Sequence, residues 1–250
     1  MLLQTITKLA CCILLVAVTG CSTAPTKNDP FERFNRGVFS FNKDIDNAVL
    51  KPVAATYKVI TPQPIDEGIT NFFSNIQDVG VVLNDLLQLK FKQAASDTGR
   101  VLVNSTVGLL GFIDVASRMD LKKHNEDFGQ TLGYWGMTPG PYLVLPFFGP
   151  SNLRDAIGTG VDTLTDPRHY VTDVGMRNFF LATNVVRAVD KRADLLGAER
   201  VADQAALDPY VYYREAYLQH RQHLVHDGEP PEDEEDEEDL FDEDEKPSVK

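Results

Sequence analysis

The residue with the most definite chemistry is Cys21. It follows Val18-Thr19-Gly20, where small side chains stand immediately before a cysteine. Upstream, Met1 to Thr7 carries no acid, Lys8 supplies a positive charge and Leu9 to Val18 is a short apolar core, the layout of a secretory signal. The apolar run falls well below the ~20 residues that span a bilayer as a helix. Together these features predict a lipoprotein signal over residues 1–20, cleavage before Cys21 and acylation of its sulfur. At about 0.8 kcal/mol per buried methylene, several acyl chains hold a protein to a membrane almost permanently. Ser22 stands where an acid would retain a lipoprotein in the inner membrane, which points to the outer membrane and a lipid-anchored protein on its periplasmic side. Cys11 and Cys12 leave with the signal, so the mature chain has no thiol for a disulfide, a nucleophile or a cysteine-ligated metal.

Other reactive side chains form no recognisable catalytic constellation. There is no G-x-S-x-G elbow, no phosphate-binding G-x-x-x-x-G-K and no H-E-x-x-H. His220, His223 and His226 suggest a metal, but no third ligand of fixed geometry accompanies the pair that shares a helix face. Arg154-Asp155 reads as a local ion pair or a helix cap, and Gly158-Thr159-Gly160 as a helix end. No cofactor or metal is implied, and the chain is read as a non-enzyme with no energy source of its own. A hydrolase would need serine, histidine and a carboxylate brought together in space.

Charge divides the chain. Residues 229–250 hold thirteen acids against two lysines, a net of −11, which leaves the body from Cys21 to Gly228 at −3 once the +1 of the signal is removed. So charged and apolar-poor a tail is expected to be disordered, serving as a solvated terminus or as a tether for cations or a basic partner. The body lacks a basic patch, which excludes nucleic acid as a partner. After an acylated linker over 21–28, residues 29–228 fit one domain with no internal repeat.

The elements are mainly α. Asp29-Pro30-Phe31-Glu32 reads as a helix start, with Phe31, Phe34, Val38 and Phe41 on one face. Further helices are expected over 44–57, kinked or divided at Pro52, from Ile65 to Ile76, over 79–91, over 93–107, over 173–188, over 190–207 and from Asp208-Pro209 onward. That last one places Tyr210, Tyr213, Tyr217 and Leu224 on one face. None is a clean transmembrane span, and apolar helices of this length are core or interfacial. From Gly129 to Gly160 glycine and proline are dense. Tyr142-Leu143-Val144-Leu145 there suggests a strand of a small hairpin, with Ser151 capping the next helix.

Four segments together resemble the MlaA/VacJ family of outer-membrane lipoproteins: DPFERFNRGVF (29–39), RVLVNSTVGLLGFIDVA (100–116), EDFGQTLGYWGMTPGPYLVLPFFGPSNLRDAIG (126–158) and DPYVYYREAY (208–217). Val101 replaces a frequent aromatic of that family, and the long acidic tail is not a family hallmark. The resemblance implies a single ring-like helical domain embedded in one membrane leaflet, with a Gly/Pro-rich loop or short hairpin. It also implies an amphipathic channel that passes stray phospholipid to a periplasmic carrier of the Mla pathway, beside trimeric porins. On that reading the segment around Gly129 to Gly149 forms the channel wall or gate, with Gly129, Gly133, Gly140 and Pro141 giving it play. Trp135, Tyr134 and Tyr142 would sit at the headgroup level or fill the core beneath a loop. Asn104, Asp114 and Gln130 are candidate polar lining residues, or else caps and backbone partners.

Overall fold

The structure is a computed structural model that describes residues 29–230. The signal, Cys21, the linker and the acidic tail beyond residue 230 lie outside the described residues, as do the expectations made for them.

Helices dominate, as the periodicity predicts. In chain order they are α1 (Glu32–Ile45), a wide π turn (Asp46–Leu50), α2 (Lys51–Ile60), α3 (Gln63–Leu87), α4 (Phe91–Thr106), a 3-10 turn (Ala116–Met119) and α5 (Phe128–Tyr134). The hairpin strands β1 (Tyr142–Leu145) and β2 (Gly149–Asn152) follow, then α6 (Leu153–Thr165), a 3-10 turn (Pro167–Tyr170), α7 (Val174–Ala205) and α8 (Pro209–Val225). Asp173 and Asp208 cap α7 and α8 through their side chains, at the two helix starts expected from the sequence.

Several boundaries differ from expectation, each for a tertiary reason. The helices expected over 65–76 and 79–91 are one 25-residue helix, and those over 173–188 and 190–207 are one of 32 residues. The helix expected over 44–57, kinked or divided at Pro52, is interrupted just before the proline: the π turn passes the Lys51 amide to Asp46, and α2 starts with Pro52 in its first turn. Asn152 rather than Ser151 caps α6, with its side chain accepting from the Asp155 amide. Gly158-Thr159-Gly160 lies inside α6, not at its end. Asp29 does not cap α1. Its fully buried carboxylate instead accepts from Asn35 Nδ2 at 2.9 Å, from the Tyr210 hydroxyl and from Arg214 Nη1 at 3.5 Å, tying the start of α1 to α8.

α1 lies along the hairpin in an unusual way. Asn35 donates to the Tyr142 carbonyl at 3.0 Å and accepts from the Val144 amide at 2.9 Å. Asn42, seven residues on and so on the same face, donates to the Leu145 carbonyl and accepts from the Phe147 amide, both at 2.9 Å. A primary amide carries one donor and one acceptor side, as a peptide group does, so these two side chains stand in for a third strand along the free edge of β1.

Packing closes into a circuit. α1 packs on β1, β2 on α8, α8 on α5, α5 on α3, α3 on α7, α7 on α2, and α2 returns through the π turn to α1. α4 lies against α3, and α6 against α5 and β2. The two small apolar clusters of the described residues, Ala54-Val189-Ala193 and Tyr142-Val144-Tyr210, sit at joints of this ring. Elsewhere the usual distribution is inverted: buried polar and charged side chains outnumber buried apolar ones, while many large apolar side chains face outward. No described helix is long and apolar enough to cross a membrane.

Asn35→Ala is expected to cost about 1–3 kcal/mol, because it strands a buried amide and carbonyl of β1. Denaturant titration measures the loss, and faster hydrogen exchange at the Val144 amide locates it.

Candidate functional site

The ring's joint between α5, α6 and α8 is built around Arg221. Its guanidinium forks to two carboxylates, with Nη1 2.6 Å from Asp127 Oδ2, Nη2 3.0 Å from Asp127 Oδ1, and Nε and Nη2 each 2.9 Å from an oxygen of Asp155. Asp155 also accepts from Tyr217 Oη at 2.7 Å, Asn152 Nδ2 at 2.6 Å and Arg154 Nε at 3.0 Å. Burial would raise both carboxyls, but the hydrogen bonds and charge of Arg221 outweigh it and hold Asp127 and Asp155 below the ordinary carboxylate range. Burial, followed by the Asp155 hydrogen bond, raises the Tyr217 hydroxyl far above its usual value.

Glycine makes this joint possible. A Cβ on Gly158 would lie 2.4 Å from the Gly129 nitrogen, and one on Gly129 would lie 2.6 Å from Asp155 Oδ1, so α5 and α6 touch backbone to backbone. A cleft of about 160 Å³ opens beside it, lined among others by Asp127, Ser151, Asp155, Asp162 and Arg221. Asp162 accepts from the Phe128 amide at 3.1 Å, and burial raises its carboxyl.

A second polar knot holds the segment after α4. Arg100, 2% exposed, places Nη2 3.1–3.2 Å from both oxygens of Asp114, and Asn104 donates to Asp114 Oδ1 at 3.0 Å while accepting from the Ala116 amide at 2.9 Å. Burial would raise Asp114, but hydrogen bonds from Ser117 and Asn104, with the Arg100 charge, hold it below the ordinary range. The loop so pinned carries Leu109 and Leu110, both left-handed (φ 53° and 60°) and 65% and 70% exposed. A branched side chain in that region is strained. Here two consecutive leucines are held outward, with Phe112 also exposed beside them. On the hairpin turn Phe147 (φ 66°) and Phe148 are each 74% exposed.

The candidate residues therefore fall into separate places. Asn104 and Asp114 meet in the Arg100 knot. Gly129 forms the α5–α6 contact, and Gln130, 2% exposed, donates to the Asn125 carbonyl at 3.0 Å and to Asp127. A Cβ on Gly133 would meet Arg154 Nη1 and Val225 at 2.8 Å. Gly140 has φ 68° against Leu153, and the Pro141 carbonyl accepts from the Leu153 amide. Trp135 is 63% exposed with Nε1 donating to the Leu87 carbonyl at 3.0 Å, and it meets exposed Tyr134 edge to face. Tyr142 is enclosed in the aromatic cluster with Tyr210 and Tyr217, the core alternative of the two that the sequence left open for it. Arg154-Asp155 is more than a local pair, being part of the Arg221 joint. Sequence reasoning missed Arg221, Asn35 and Asn42, and read Tyr217 only as part of an aromatic helix face. The available signal was a polar residue at i+4 or i+7 on a face otherwise aromatic or apolar.

A family model described as MlaA lipoprotein matches residues 27–224. The chain is 33% identical over 223 residues to the intermembrane phospholipid transport system lipoprotein MlaA of Escherichia coli (strain K12), covering 85% of this chain and 86% of that protein. It is 34% identical over 236 residues to the protein of the same description from Haemophilus influenzae, covering 91% and 93%. A Rickettsia typhi protein is 35% identical over 195 residues, covering 78% and 76%. A solved structure from work on the maintenance of bacterial outer membrane lipid asymmetry superposes with a TM-score of 0.69 at 33% identity, covering 80% of this chain and all of that one.

Arg221→Met strands two acids at the joint and is expected to cost about 3–5 kcal/mol. The pH dependence follows from the lowered carboxyls. Their contribution is present above the unfolded value near ~4 and is lost as pH falls toward the lower folded values. Denaturant titrations at several pH values should show this acid-side loss in the wild type and its disappearance in Arg221→Met.

Proposed function

Because the chain belongs to the MlaA lipoprotein family, we propose that it takes phospholipid that has strayed into the outer leaflet of the outer membrane and passes it through its ring to a periplasmic carrier. The return of that lipid to the inner membrane maintains the asymmetry of the outer membrane. The observation that carries this reading is the inverted ring: apolar side chains outward, polar and charged ones enclosed, and no described helix able to cross a bilayer.

A phospholipid crossing a bilayer unaided drags a charged headgroup through hydrocarbon at a cost of many kcal/mol. A polar-lined passage keeps the headgroup solvated while the tails stay in apolar surroundings. A passive conduit then suffices, with direction set by the supply of misplaced lipid and the affinity of the carrier. Acyl chains on Cys21 would hold the domain to the periplasmic face, and the outward leucines and phenylalanines would sink into the inner leaflet. Trp135 and Tyr134 would lie at the headgroup level, where aromatic rings settle. Trimeric porins are the neighbours this reading assigns to it. The segment from Gly129 to Gly149 acts as wall and gate, its bends set by the positive φ of Gly136, Gly140 and Gly149.

Reconstitution in asymmetric vesicles tests the reading. Intact phospholipid leaving the membrane supports it; released fatty acid marks a hydrolase, and unchanged lipid with porin co-purification marks a tether. For the gate, Gly140→Val is strained by its φ and by Leu153, and it is expected to lower flux several-fold at normal protein abundance. Unchanged outer-leaflet phospholipid in cells carrying Gly140→Val and Gly133→Val at normal abundance would count against it.

A further inference from the structure

The seam between α3 and α4 holds a titratable cluster that closure of the ring does not use. Asp85 on α3 and Asp97 on α4 are both fully enclosed. Asp85 Oδ1 accepts from Gln93 Nε2 at 2.8 Å, and Asp97 Oδ2 lies 2.7 Å from His124 Nδ1. Gln93 Nε2 also reaches Glu126 Oε1 at 2.9 Å, and Glu126 is further held by Lys90 Nζ at 3.0 Å and Gln88 Nε2 at 2.8 Å. What is left over is informative. Asp85 Oδ2 and Asp97 Oδ1 are buried oxygens without a donor, and Gln93, which reaches Asp85 from α4, stands one helical turn before Asp97, so the two carboxyls face the same seam. Two carboxylates so placed repel in an enclosed seam, whereas one proton between them satisfies both oxygens.

We propose that Asp85 carries a proton in acid surroundings and donates it across the α3–α4 seam to Asp97, and that its loss as the surroundings turn neutral parts the seam and moves the turn after α3 against Trp135.

The neighbouring charges cannot take over the proton's task. Asp78 on α3 is engaged with Lys123 and faces Arg100 of α4, which is committed to Asp114. Lys90 is shared between Glu126 and Asp227 at the end of α8, and His124 sits on the far oxygen of Asp97. The coupling to α5 is direct: Gln88 Nε2 donates to Thr131 Oγ1 at 3.1 Å, and Trp135 Nε1 to the Leu87 carbonyl. Burial first, and the charge of Asp97 second, push the Asp85 carboxyl up to about 7. The stability conferred by the proton on Asp85 is therefore complete below the ordinary carboxylate value near ~4 and drains away as pH rises toward neutrality. The device stands whatever passes through the ring.

Trp135 is the only tryptophan of the chain and reports on this seam directly. With the full acylated protein in detergent micelles, its emission is followed from about pH 5 to about pH 9, bracketing neutrality. The wild type is expected to show a one-proton transition with its midpoint near 7. Asp85→Asn, whose amide donates to Asp97 at every pH, is expected to stay flat on the acid limb, and His124→Gln to keep the transition. If Asp85→Asn fails to fold, Asp97→Asn, which donates back to Asp85, gives the same reading. A flat wild type overturns the proposal. So does a transition near 7 that survives either asparagine variant, or one that His124→Gln removes and Asp85→Asn leaves intact; this midpoint is distinct from that of Lys123, whose ammonium burial lowers to about 8.

Discussion

Charged and amide side chains enclosed within a ring of helices must each find a partner, because water reaches them poorly and hydrocarbon not at all. Every major joint described above is an answer to that constraint. Arg221 forks between Asp127 and Asp155, Arg100 holds Asp114, and Asn35 and Asn42 copy the hydrogen bonds of a missing strand. Apolar burial, the usual cement of a domain, is confined to a few small clusters, so polar pairing fixes how the helices meet.

The same constraint explains the outward apolar surface. Leucines and phenylalanines that would fill a core in a water-soluble domain are displayed here, some on strained backbone, as at Leu109, Leu110 and Phe147. Hydrocarbon offsets that exposure where water would penalise it. One arrangement thus presents an apolar surface outside and paired polar groups within, and a lipid with a charged head and oily tails needs both kinds of surroundings.

How much of this was legible in the sequence depends on whether a signal is local. Asp173 and Asp208 act on amides two or three residues away, and both helix starts were read correctly. The hairpin was legible because glycine and proline confine the chain to it. The long helices were not. The second of two expected helices began at Asp190, yet that residue is buried inside α7, accepting from Tyr57 and Thr70. Asp78, in the gap between the helices expected over 65–76 and 79–91, is likewise buried inside α3, since a polar core puts acids in helix interiors. Of the candidate site residues, Asn104, Asp114 and Gln130 have partners close in sequence, whereas the Arg221 joint links residues 66 and 94 apart, and its only local mark is the polar Arg221 one turn after Tyr217.

The inverted ring requires its outward face to meet hydrocarbon. Spin labels on cysteines replacing Leu110, Phe148 and Phe179, the last an exposed residue of α7, measure this in vesicles by comparing collisions with dissolved oxygen and with a water-soluble nickel chelate. All three positions should favour oxygen, which concentrates in the acyl region. Equal access for the chelate at all three would mean that the belt lies in water, and the inverted ring would lose its physical basis.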